Sequence, residues 1–246
     1  MLTVEKVSKS YRSSGKVKQA ICGINLSIGE GEIVGLVGES GSGKSTLSRI
    51  IMQLEAVDEG VVSFNGLPVT KVLRKAFYEE CQLVFQNASA ALNPLWSVRQ
   101  ILMEPLRTMK GDRDAYIRAM LEKVKLAEAH LHRYPSELSG GERQRVNLLR
   151  SILVSPKLVI CDEIVSNLDR LTQREIIDLL IELNRDSGMA ILFIAHDLQV
   201  VSYMCERVYV MKDGEIVDES VKSEGEFKFT HPYSKMLFGA GLGTSV

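Results

Sequence analysis

The stretch IVGLVGESGSGKST, residues 33–46, decides how this chain is read. A short apolar run ends in a glycine-rich turn, and a lysine and two hydroxyls follow. Residues 38–46, GESGSGKST, fit the spacing G-x-x-x-x-G-K-[ST]. Gly38, Gly41 and Gly43 lack a Cβ, so the backbone can wrap closely and aim its N–H groups inward. Glu39, Ser40 and Ser42 belong to the same cradle. A helix beginning near Lys44 adds the positive end of its dipole. Lys44 places a point charge on the β- and γ-phosphates of a nucleotide, the Ser45 hydroxyl binds Mg²⁺, and Thr46 completes the motif.

Two further apolar runs end in chemically useful residues. LVICDE, residues 158–163, reads as a buried strand with two carboxylates at its end. Asp162 suits Mg²⁺ held through water. Glu163 points to the other side of the chain and suits an attacking water. AILFIAHD, residues 190–197, ends in His196. Open parallel sheets present ligands at the carboxyl ends of their strands, which gives His196 a γ-phosphate role. His130, His132 and His231 read as surface residues.

Each apolar run is followed by a helical pattern, at residues 44–52, 170–185 and 198–205. Near-continuous apolar strands alternating with helices predict a parallel sheet covered on both faces. Residues 2–35, 60–69 and 207–220 alternate instead, the last around the hairpin signal Asp213-Gly214. They predict an antiparallel sheet beside the parallel one. Between residues 87 and 155 the pattern is mostly helical, broken at Asn93-Pro94, Lys110-Gly111 and Tyr134-Pro135. The tail, residues 224–246, predicts one short helix and then a frayed end.

The chain has 246 residues, 45% hydrophobic and 25% charged, with a formal net charge of −1. Such a balance offers no global field for nucleic acid or an anionic membrane. The four cysteines are scattered, without a CxxC pair or metal-ligand spacing, and read as reduced thiols. No apolar run approaches the ~20 residues of a membrane span, and the first residues carry no apolar signal core. The expectation is a soluble protein that reaches a membrane only through partners.

SELSGGERQRV, residues 136–146, is a second piece of phosphate-binding grammar, a serine and two glycines opening a helix, with no lysine. Together with the phosphate loop, CDE and AHD, its LSGGERQR makes the chain resemble the ATP-binding cassette ATPases that power membrane transporters. The resemblance covers essentially the whole length. It implies an α/β fold, a P-loop NTPase core with a mixed parallel sheet, an antiparallel β subdomain and an inserted α-helical subdomain. The core and β subdomain would take residues 1–86 and 156–225, the helical subdomain 87–155, and the tail 226–246.

The resemblance also implies roles by position. Tyr11 matches the aromatic that stacks on adenine. Gln86 matches the glutamine that touches Mg²⁺ and the attacking water and senses the transporter. Ser139, Gly140 and Gly141 match the signature that caps the γ-phosphate of ATP held by the Lys44 loop of a second subunit. Asp169, in SNLD, matches the loop that crosses between subunits. ATP and Mg²⁺ are the implied cofactors. The implied partners are a second ATPase subunit in a heterodimer, two membrane permease subunits and an extracytoplasmic solute-binding protein, with no nucleic acid. That arrangement would hold the chain peripherally at the cytoplasmic face of the cell membrane. Leu95, Trp96 and Val98 are candidates for the groove that receives the permeases, and Trp96 reads equally well as a core anchor.

CQLVFQNASAALNPLWSVRQILMEPL, residues 81–106, and HPYSKML, residues 231–237, resemble the import branch for peptides and nickel. Asn167 stands where many peptide-type ATPases have alanine, which leans toward nickel-type members. Ile164 departs from the usual Pro or Ala, and no cysteine follows Cys205. Two alternatives within the fold are a soluble ATPase acting on ribosomes or DNA and a non-catalytic regulatory partner. The single cassette and near-neutral charge argue against the first, and the intact Glu163, His196 and signature against the second.

Overall fold

Every residue of the strand Ile33–Val37 is buried, as an apolar run must be when strands flank it on both edges and side chains cover both faces. In the computed structural model, which describes residues 1–13, 16–69 and 74–242, this is the third of ten strands. They are β1 (Leu2–Ser13), β2 (Lys16–Ile28), β3 (Ile33–Val37), β4 (Glu59–Phe64), β5 (Leu67–Pro68), β6 (Cys81–Val84), β7 (Leu158–Asp162), β8 (Ala190–Ala195), β9 (Arg207–Lys212) and β10 (Glu215–Val221). The chain divides into two units, Met1–Tyr78 with Ala190–Val246, and Glu79–Met189.

In the first unit β3 lies parallel to β8, with Val37 opposite Ala195, and parallel to β9, with Val37 opposite Val210. All three strands therefore deliver their carboxyl ends to one edge, where the phosphate loop and His196 begin. A second sheet, order β2-β1-β4-β5, is antiparallel throughout. The helices Lys44–Ile51, Leu198–Met204 and Pro232–Leu242 complete this unit, the first two within one residue of their sequence-based limits.

The hairpin β9–β10 departs from expectation. Asp213 and Gly214 form its turn at φ 47° and 86°, as the Asp-Gly signal predicts. Yet the hairpin extends the parallel strands instead of joining the antiparallel sheet. Val208, Tyr209, Val210 and Met211 are all buried, so β9 is a strand covered on both faces. The hairpin signal masked that continuous run.

In the second unit β6 pairs with β7 in parallel, Val84 opposite Cys161. Short helices follow the sequence's own caps. Ser97 forms a capping box with Gln100 at the start of Val98–Met103, and Asp112 caps Arg113–Lys123. Tyr134-Pro135 opens a single 3₁₀ turn, Pro135–Glu137, directly before the longer helix Gly140–Ile152. The helix Arg170–Ser187 ends at Gly188 in a left-handed cap. Among the described residues no helix is long and apolar enough to cross a membrane.

Val98 is fully buried, whereas Leu95 is 82% exposed. Val98 therefore belongs to the core of the second unit and leaves the set of docking candidates, because the Ser97 cap turns it inward as the first helical residue. Trp96 is half-buried beside a cavity of about 390 Å³ that Met103 and Arg107 also line.

Candidate nucleotide site

The phosphate loop of the first unit is gripped from behind. Gly38 has φ 153°, and a Cβ there would lie 2.1 Å from the Met211 carbonyl oxygen. Gly43 has φ 107°, and a Cβ there would lie 2.7 Å from the Ala20 carbonyl. No other residue type fits either position. The Gly214 N–H donates to the Ser42 carbonyl at 3.1 Å, and the Cys22 N–H donates to the Gly214 carbonyl at 2.8 Å. Strand β2 and the β9–β10 turn thus shape the loop, a role the local motif does not announce.

Lys44 opens the helix behind the loop and is 4% exposed. Its Nζ donates to the carbonyl oxygens of Gly38 at 2.8 Å and Glu39 at 2.9 Å. A buried ammonium in a cradle of backbone amides at a helix N-terminus is a site for a polyanion. His196 follows the last residue of β8, directly beside the strand that feeds the loop, and is exposed. Tyr11 is 38% exposed, its phenol bonded to Glu55. Burial, then the Glu55 bond, raises its pKa, while Thr46 pulls it down. Tyr11 is therefore partly exposed beside the helix that carries Thr46, with Lys9 Nζ 5.9 Å from the centre of its ring.

In the second unit Asp162 ends β7 and Glu163 follows in a left-handed conformation, φ 51°. Such strain in a non-glycine residue persists only where its surroundings hold it. Here the Glu163 carbonyl accepts from Ser166 Oγ at 2.9 Å and from the Ser166 N–H at 3.2 Å. The Glu163 carboxylate accepts from Gln86 Nε2 at 3.0 Å. The segment carrying Gln86 is itself anchored, since Asn147 Nδ2 donates to the Phe85 carbonyl at 3.3 Å. Asn147 lies in the helix Gly140–Ile152.

Ser139 caps that helix. Its hydroxyl accepts from the Glu142 N–H at 3.2 Å, and the Glu142 carboxylate accepts from the Ser139 N–H at 2.7 Å. The cap uses the hydroxyl as acceptor, so its proton can still be donated to an anion. Gly140 and Gly141 occupy the first two helical positions, whose N–H groups have no helical acceptor. The Ser139 N–H, then His130, hold the Glu142 carboxyl down at about 2. His130 Nε2 lies 2.9 Å from Glu142 Oε1. His130 is thus a brace of the signature helix, whereas His132 is exposed as expected. The 3₁₀ turn Glu128–His132 folds His130 back onto the helix.

Asp169 caps the helix Arg170–Ser187, accepting from the Thr172 N–H at 3.0 Å and from Thr172 Oγ1 at 2.6 Å. These Thr172 bonds, the hydroxyl's first, lower its carboxyl pKa. Thr172 also faces the signature, since a Cβ on Gly141 would lie 2.7 Å from Thr172 Cγ2. One unit therefore gathers residues 38–46, Tyr11 and His196. The other gathers Asp162, Glu163, Gln86, Ser139, Gly140, Gly141 and Asp169. In the first unit, a glycine cradle with a buried ammonium fits the phosphates of a nucleotide, and the Ser45 hydroxyl is an oxygen of the kind Mg²⁺ takes; in the second, Asp162 carries a carboxylate of that kind.

The family model described as "ABC transporter" matches residues 21–166. The oligopeptide transport ATP-binding protein OppF of Streptococcus mutans is 40% identical over 98% of this chain and 81% of that protein. The nickel import ATP-binding protein NikE of Pseudomonas putida is 41% identical over 98% of this chain and 93% of that protein. Among solved structures, the dimeric post-hydrolysis state of the ATP-binding cassette MJ0796 bound to ADP and Pi superposes with a TM-score of 0.81. It is 30% identical, over 90% of this chain and 98% of that one. CbiO1 from Clostridium perfringens, part of the transporter complex cbiONQ, gives a TM-score of 0.78 at 28% identity, over 89% of this chain and 87% of that one. A phosphate loop and a capped serine–glycine helix in one α/β chain thus have matching relatives along nearly the full length. The chain belongs to the ABC transporter family.

Proposed function

We propose that this chain is the ATP-hydrolysing subunit that energises an importer for oligopeptides, nickel or metal–metallophore complexes. Its relatives OppF and NikE, by name, serve oligopeptide transport and nickel import. The observation that carries the reading is the presence in one chain of two anion-seeking helix starts. One stands behind a lysine-bearing loop, and the other is capped by Ser139 with the Gly140 and Gly141 amides facing outward from its first turn.

The loop residues 38–46 hold the phosphates, with Lys44 on the β- and γ-phosphates, and Tyr11 stacks on adenine. Ser45, Asp162 and Gln86 would each help to hold Mg²⁺, which would neutralise charge that develops on the phosphates. Glu163 polarises the attacking water, Gln86 orients that carboxylate, and His196 contacts the γ-phosphate. Ser139, Gly140 and Gly141 cap the γ-phosphate of ATP bound to the Lys44-type loop of a partner ATPase, and Asp169 lies at that junction. ATP then favours the closed pair, because it binds both faces only when they meet, and hydrolysis removes the bridge. The partners are a second, different ATPase subunit, two permease subunits and a solute-binding protein, which place the chain at the cytoplasmic face of the membrane. The solved dimer of MJ0796 supports pairing of such cassettes.

The test is cargo uptake and ATP turnover in the assembled transporter with Lys44→Ala. Both fall to background if the reading holds. Wild-type uptake with that variant contradicts it.

A further inference from the structure

The motif HPYSKML lies beyond residues 21–166, which the family model covers, yet it reaches the phosphate loop. Tyr233, in the first turn of the helix Pro232–Leu242, is 6% exposed. Its hydroxyl oxygen accepts from the Glu39 N–H at 3.2 Å. Lys212 Nζ lies 4.9 Å from the centre of its ring. The approach of the tail is fixed by Asp218 on β10. That carboxylate accepts from the Thr230 N–H at 3.0 Å, the Thr230 hydroxyl at 3.2 Å and the His231 N–H at 2.8 Å. The same hairpin holds the back of the loop through Met211 and Gly214.

The bonded groups belong to one peptide unit. The Gly38 carbonyl and the Glu39 N–H are its two ends. Lys44 Nζ holds the carbonyl at 2.8 Å, and the Tyr233 hydroxyl holds the N–H. A peptide that follows a glycine rotates at low cost, so its plane needs an outside partner. When Lys44 turns its charge toward a phosphate, Tyr233 is the partner that remains.

We infer that Tyr233 is a positioning residue for the nucleotide, fixing the Gly38–Glu39 peptide so that the loop is formed before phosphate arrives. This rests on the reading of residues 38–46 as the nucleotide loop. Preorganisation of this kind acts on ATP and ADP alike, because both carry the phosphates the loop surrounds. It sets affinity and leaves the chemical step alone.

The test is Tyr233→Phe in the full chain, which keeps the ring, its burial and the Lys212 contact and removes only the hydroxyl. Three readouts apply: equilibrium titration with MgATP and MgADP, the split of ATP turnover into KM and kcat, and hydrogen exchange at the Glu39 amide. Loss of one hydrogen bond predicts that both dissociation constants and KM rise about three- to tenfold. The expectation for kcat is no change beyond about twofold, with faster exchange confined to the loop and a melting temperature lowered by no more than about 2–4 °C. Affinity for both nucleotides within about twofold of wild type overturns the inference. So does a fall in kcat at constant KM, or faster exchange spread over the whole chain, which assigns Tyr233 to packing alone. Lys44→Ala measured alongside separates the two readings: if it binds MgATP as the wild type does, the nucleotide loop itself is misassigned.

Discussion

The side-chain amide of Gln86 donates to the carboxylate of Glu163 across 3.0 Å. Glu163 is held for that contact by its left-handed backbone and by Ser166, and the Gln86 segment is tied through Phe85 to Asn147 of the signature helix. A group assigned to polarise water is therefore linked by direct bonds to the helix assigned to a partner's nucleotide. Glu163→Gln keeps an acceptor for Gln86 and removes the base. ATP turnover should fall about 10²- to 10⁴-fold, while MgATP affinity stays within about threefold. Turnover at the wild-type rate in the assembled transporter assigns the base elsewhere.

The Gly141–Thr172 contact yields a prediction about fit. A Cβ at Gly141 would stand 2.7 Å from Thr172 Cγ2, and Thr172 cannot swing aside without losing its bond to Asp169. Gly141→Ala should cost about 1–3 kcal/mol in unfolding free energy. Thr172→Ser removes the methyl and keeps the hydroxyl, so in the Gly141→Ala background it should recover most of that loss. Denaturant melts of the double-mutant cycle check this, and additive effects would show that the two residues do not press on each other.

Much of the fold could be read directly because its signals are local. The apolar runs became β3, β7 and β8. The lysine after the glycine turn began a helix, and the caps at Ser97, Asp112, Ser139, Asp169 and Asp197 each accept an amide of their own first turn. The misreadings came where a local signal competed with long-range packing. Asp213-Gly214 made a hairpin as expected, but the burial of residues 208–211 moved it beside the parallel strands. Val98 reads as a docking candidate by its place beside Leu95 and Trp96, yet the helix start at Ser97 turns it inward. His130 looked like surface because nothing in its spacing marks the 3₁₀ turn that brings it to Glu142. Tyr233 and Glu39 are 194 residues apart, and periodicity carries no record of such a bond.

Glu142 predicts an acid dependence. Its carboxyl titrates at about 2 against an ordinary 4.5, chiefly through the Ser139 N–H and then His130. A depressed folded-state value means that the charged form stabilises the fold. That contribution is complete above about 4.5 and is lost as the pH falls through about 2. Glu142→Gln should therefore be less stable than wild type by about 1 kcal/mol at pH 7, with the gap closing as pH falls from 4.5 toward 2. Urea melts across that range measure it. A gap that stays constant with pH assigns the cap to shape rather than charge.

On the proposed function, Ser139 of this chain and the phosphate-loop lysine of the partner ATPase share a single ATP. The measurement is the structure of the assembled transporter trapped with Mg²⁺ and a non-hydrolysable ATP analogue, read for the separation between Ser139 Oγ and the nearest γ-phosphate oxygen. Shared binding requires a hydrogen bond, about 3 Å or less, to the nucleotide held by the other subunit. A closed, nucleotide-filled complex in which Ser139 stands away from every γ-phosphate contradicts it.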